Sequence, residues 1–129
     1  MISKNHTKTA AEKAWLYMVV EFANDSPWLI NKYGVDVEVP YQYQIDHVVG
    51  SKIKRKIGMV SMRVGELAIM PTPIELHDNL FAHCIYHRGK GFRERYGHEK
   101  TVWLEMIRAM QSEGYEIPFS EEVIQAIIR

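Results

Sequence analysis

A single cysteine, Cys84, stands among the 129 residues. No disulfide can form within the chain, and a cysteine-built zinc knuckle is excluded. The free thiol suits a reducing compartment. Charge of one sign is also missing, with sixteen Lys and Arg residues against sixteen Asp and Glu. Net charge therefore does not point to nucleic acid, and any such partner must be argued from local clusters. Long hydrophobic runs are absent, and none approaches the roughly 20 residues of a bilayer span. The stretch Met1–Thr9 is polar and lacks the apolar core of a signal peptide. These absences lead us to expect a soluble cytoplasmic protein with no membrane partner. What is present is ordinary globular material. A hydrophobic fraction of 47% with 25% charged residues predicts a buried core rather than disorder. The length suits one domain over 1–129, with 1–8 as a loose lead-in.

Proline and glycine are sparse enough to act as punctuation. Thr9-Ala-Ala-Glu12 has capping-box spacing, and Trp15, Val19 and Phe22 follow at helical intervals, so a helix is expected over about 9–23. Asn24-Asp-Ser-Pro27 ends it. Val35, Val37 and Val39 alternate with acids, as in a half-buried strand. After Pro40, the residues Tyr41, Tyr43 and Ile45 alternate with Gln42, Gln44 and Asp46, forming a strand that runs into Asp46-His47. Met59 to Arg63 reads as a short strand, and Leu67-Ala-Ile-Met70 as another that Pro71 stops. A helical turn is expected near Ile74–Asn79, and partial helix between Leu80 and Tyr96. The stripe Val102, Trp103, Met106, Ile107 and Met110 predicts a helix over 98–113 that Gly114 ends, and Ser120 is placed to cap a last one. Strands and helices in this mixture predict an α+β fold.

The chemistry concentrates in histidines. Four of the six, His47, His77, His83 and His87, fall within 47–87, and Asp46 adjoins the first of them. His83 and His87 are four apart and would share one face of a helix. Imidazole suits zinc, nickel, copper and iron, whereas carboxylate suits magnesium and manganese, so a mixed Asp/His set leaves the metal open. Adjacent residues of a strand point to opposite faces. Asp46 and His47 therefore need separate roles, or a bend near Ile45–Val48 that brings both to one cleft. Each histidine taken alone is also compatible with a plain structural or surface role.

The order of these residues resembles phage-type HNH endonucleases, in particular the RecA-dependent nuclease group. The resemblance is carried by Asp46-His-Val-Val-Gly50, a basic loop, Gly65-Glu-Leu-Ala-Ile-Met-Pro71, Glu75-Leu-His-Asp78 and His87-Arg-Gly-Lys-Gly-Phe-Arg-Glu-Arg-Tyr-Gly97. It spans roughly 43–112 of the chain. It implies a ββα-metal finger with a core at about 43–97, with additional helices flanking it. It further implies one divalent metal ion (magnesium, manganese or zinc) held by Asp46, His77 and His87, with His83 in reserve, and His47 as the general base. The implied reaction is hydrolysis of a DNA phosphodiester. Lys52, Lys54, Arg55, Lys56, Arg88, Lys90, Arg93 and Arg95 would hold the DNA backbone. A recombinase partner and a bacterial host cytoplasm, with the gene phage- or prophage-borne, follow from the same resemblance. The sequence departs from the family in lacking zinc-binding cysteine pairs, and Asn79 lies just past His77 rather than at the place of the family's central asparagine.

Two other readings fit the same residues. One is a nucleic-acid-binding module that keeps the finger without catalysis. The other is a phage accessory protein that acts through interaction alone. The basic run Lys52–Lys56 serves equally as a solvated loop, and Arg88–Arg95 as a helix face interleaved with Glu94.

Overall fold

The structure is a computed structural model, and it describes residues 8–34, 42–48, 62–77 and 94–129, the side chains of Glu75 and His77 excepted. The elements are α1 (Ala10–Asp25), α2 (Trp28–Tyr33), β1 (Tyr43–His47), the single turn α3 (Val64–Leu67), β2 (Ile69–Pro73), the turn α4 (Ile74–His77), α5 (Glu99–Ser112) and α6 (Glu121–Ile128). The mixed α+β composition expected from the sequence is present, with a small two-stranded antiparallel sheet.

Helix α1 begins where its cap dictates. The Thr9 hydroxyl accepts from the Glu12 amide at 3.1 Å, and the Glu12 carboxylate accepts from the Thr9 amide at 2.9 Å. Its apolar stripe, Trp15, Val19 and Phe22, is fully buried. Helix α5 buries Val102, Trp103, Met106, Ile107 and Met110, the stripe read from the sequence. It starts on His98, whose Nδ1 accepts from the Lys100 amide at 3.1 Å. It is followed by Gly114 at φ 97°, a left-handed conformation that glycine adopts without steric cost. Ser120 caps α6 through Val123 N–H at 3.3 Å. The helices meet over aromatic contacts, with Phe119 edge-on to Trp15 at 5.1 Å and stacked on Trp103 at 6.3 Å. No helix among the described residues is long and apolar enough to cross a membrane.

The second strand differs from expectation. Leu67 belongs to α3, and β2 runs from Ile69 through both prolines to Pro73 instead of stopping at Pro71. The register explains this. Tyr43 faces Pro73, Ile45 faces Pro71 and His47 faces Ile69. Val48 N–H donates to Ala68 O at 2.8 Å and Ile74 N–H to Gln42 O at 2.9 Å. Antiparallel ladders alternate bonded and non-bonded pairs, so the bonded pairs include Gln44/Thr72 and Asp46/Met70. Pro71 and Pro73 occupy non-bonded positions whose nitrogens face away from β1, so no ladder bond is lost.

The expected strand at 35–39 lies outside the described residues, as does the expected helix through residues 80–93. Of the expected strand Met59–Arg63, only Met62 and Arg63 are described; they are not strand, and Arg63 is the N-cap of α3.

Candidate acid–imidazole site at the end of the first strand

Period-two alternation places Tyr43, Ile45 and His47 on one face of β1 and Gln44 and Asp46 on the other. The first face turns toward the core, where Tyr43 and Ile45 pack, and Tyr43 Oη donates to Asn24 Oδ1 at 2.8 Å near the C-terminal end of α1. At the opposite end of the strand, His47 reaches the region where α1 begins. Its Nε2 lies 3.5 Å from Oε1 of Glu66, and the ammonium of Lys8 lies 3.7 Å from the same oxygen.

Glu66 is buried, with 6% of its surface exposed. An acid in so dry a position requires fixed partners, and α3 is anchored to supply that rigidity. Arg63 binds the Glu12 carboxylate three times, through its backbone N–H at 2.7 Å, Nε–H at 3.0 Å and Nη2–H at 3.0 Å. The Trp15 indole donates to Leu67 O at 2.9 Å. The first two turns of α1 thus clamp both ends of the turn that carries Glu66. Burial alone would push the Glu12 carboxyl up, but the hydrogen bonds from Arg63 and Thr9 and the guanidinium charge together bring it below its ordinary value. The Glu12 hydrogen bond correspondingly raises Arg63.

Asp46 and His47 are both half-buried and adjacent, and the strand runs straight through them. There is no bend at Ile45, and the ladder continues to Val48. The two side chains therefore leave the strand on opposite faces. They remain neighbours across its edge, because Cα atoms of adjacent residues are about 3.8 Å apart. Among the described residues β1 pairs only with β2.

The remaining residues singled out from the sequence fall as follows. His77 is the last residue of α4, and its side chain lies outside the described residues. That turn starts from the Tyr43 end of the sheet through the Ile74–Gln42 bond. About 14 Å of extended strand separates that point from Asp46. His83, His87, Lys52, Lys54, Arg55, Lys56, Arg88, Lys90 and Arg93 lie outside the described residues, and Arg95 is exposed. Among the described residues, no group of three His, Cys, Asp or Glu side chains could hold a metal ion.

Glu66 is the site residue that sequence reading missed. It lies within Gly65-Glu-Leu-Ala-Ile-Met-Pro71, a stretch that carries the resemblance without a role for its acid. Its signal was a lone acid in an otherwise apolar run from Val64 to Met70, a pattern that calls for a buried partner. Arg63 and Glu12 were likewise visible only as a strand end and a cap. Comparison with protein-family models, curated proteins and solved structures gives no match for this chain.

Proposed function

We propose that this chain is a metal-dependent endonuclease of the ββα-metal type that hydrolyses DNA phosphodiester bonds. The observation that carries the reading is the strand end itself. Asp46 and His47 are consecutive at the end of β1 with their side chains on opposite faces of the strand, and His47 is set beside a buried carboxylate. The element order supports it, since two antiparallel strands are followed directly by a helical turn that bears His77.

In this reading His47 accepts a proton from a water molecule, and the water oxygen attacks phosphorus as the P–O3′ bond breaks. Asp46, His77 and His87, with His83 in reserve, would hold the metal, since carboxylate and imidazole donors suit a divalent ion such as magnesium, manganese or zinc. Such an ion, when bound, supplies charge neutralisation at the phosphate and at the leaving oxygen. Lys52, Lys54, Arg55, Lys56, Arg88, Lys90, Arg93 and Arg95 hold the phosphate backbone. None of them sits in a base-reading motif, so cleavage has weak sequence preference.

The test is nicking of supercoiled plasmid with added magnesium or manganese, alongside metal analysis. His47→Ala is expected to lower the nicking rate by about 10²- to 10⁴-fold while DNA retention persists. Asp46→Ala is expected to lose bound metal. An unmodified protein that retains DNA at low salt but never nicks it with any divalent ion is a binding module instead. One that does not retain DNA acts through protein interaction.

A further inference from the structure

We propose that Glu66 is the positioning residue for His47, engaging Nε2 of the imidazole and leaving Nδ1 as the nitrogen that faces the reacting water. This rests on the reading of His47 as the general base.

Three observations lead here. The carboxylate oxygen is 3.5 Å from Nε2, and its side chain is buried to 7% exposure while the imidazole keeps 30%. The carboxylate is therefore dry, while the imidazole beside it keeps access to solvent. The backbone under each partner is also fixed. His47 is paired in register with Ile69, three residues after Glu66, and α3 is clamped to α1 by the Glu12–Arg63 bonds and the Trp15–Leu67 bond. Finally, the position is expensive for an acid. A leucine there would avoid the desolvation cost that a buried carboxylate bears. Lys8, 3.7 Å from the same oxygen, offsets part of that cost.

A carboxylate accepts hydrogen bonds and cannot donate one when ionised, so from its position 3.5 Å away it favours the imidazole form that carries its proton on Nε2. The lone pair then lies on Nδ1. When water attacks phosphorus, its proton passes to Nδ1 and the ring becomes an imidazolium. Nε2 keeps its own proton, directed at the Glu66 carboxyl group. The departing 3′ oxygen takes its proton from solvent.

The experiment combines ring ¹⁵N NMR of the full chain in alkaline buffer, where imidazoles are neutral, with steady-state nicking. Unmodified protein is expected to show His47 with its proton on Nε2. Glu66→Leu is expected to give mixed ring forms and to lower kcat about 10- to 100-fold, the range for loss of an orienting partner, with KM little changed. Glu66→Gln keeps an acceptor oxygen in nearly the same shape. Because its amide can also donate to Nε2, it is expected to hold the Nε2–H form less completely than glutamate and to restore only part of kcat, and it serves as the folded control. Unchanged ring signals in Glu66→Leu would overturn the proposal, and so would a rise in KM without a fall in kcat. If unmodified protein cuts no DNA, the nuclease reading fails, and the ring signals alone still decide whether Glu66 sets the orientation of His47.

Discussion

Glu12 does two jobs with one carboxylate. It closes the cap of α1 on the Thr9 amide and also accepts three bonds from Arg63. With 1% of its surface exposed, it cannot exchange those donors for water. Removing one partner of a buried pair leaves the other charge stranded, so Glu12→Ala is expected to cost about 3 kcal/mol in chemical unfolding at neutral pH. The pH dependence follows from the lowered Glu12 carboxyl. Because the folded value lies below the unfolded one, the contribution is fully present above the ordinary value of 4.5 and is lost as pH falls through the folded value. The gap between native and Glu12→Ala stabilities should therefore narrow in acid, and a gap that widened would contradict it. Glu121 offers a contrast. Arg108 draws its carboxyl down to about 2, yet the pair is exposed, so Glu121→Gln is expected to leave unfolding nearly unchanged.

At the scale of elements, the sheet makes a sharper demand than proline frequency suggests. Pro71 and Pro73 sit where the ladder asks for no N–H, whereas the Thr72 N–H lies in a bonded pair with Gln44. Pro71→Ala is expected to change stability by less than about 1 kcal/mol. Thr72→Pro strips the Gln44 carbonyl of its ladder donor and should cost about 2 kcal/mol or more. Thermal unfolding of the two variants checks the register directly, and equal effects would count against it. The same contrast shows which elements were legible in the sequence. Helix α1 with its capping box, the α5 stripe and the Ser120 cap depend on residues within a turn of one another, and each stands where it was expected. The run into Asp46-His47 was likewise local. The end of β2 was not, because whether Pro71 stops a strand depends on which of its neighbours β1 bonds. Glu66 was hidden for a related reason. Its link to His47 exists only after α1 clamps α3 and β1 pairs with β2.

For the whole molecule, balanced charge sets the problem that a DNA-acting reading must solve. With sixteen positive and sixteen negative side chains, attraction to a polyanion cannot come from the net field and must come from grouped cations. Lys52, Lys54, Arg55 and Lys56 fall within five residues with no acid among them. Glu12, Asp46 and Glu66 sit at or near the proposed reacting centre, two of them buried. Arg63 already meets Glu12 and Lys8 lies beside Glu66, so cations brought to phosphate at this centre would have to come from elsewhere, and this is where a divalent ion and the basic run would act together. Each lysine or arginine that neutralises a phosphate releases about 0.9 of a counterion on duplex DNA. Replacing all four residues of the run by glutamine is therefore expected to flatten the slope of log affinity against log salt by about 3 to 4, at every sequence tested. His47→Ala, by contrast, should leave that slope unchanged. Filter retention across a salt series separates the two. An unaltered slope in the quadruple variant would mean that the run is only a solvated loop, and binding would have to be sought on the side of Arg88, Lys90, Arg93 and Arg95.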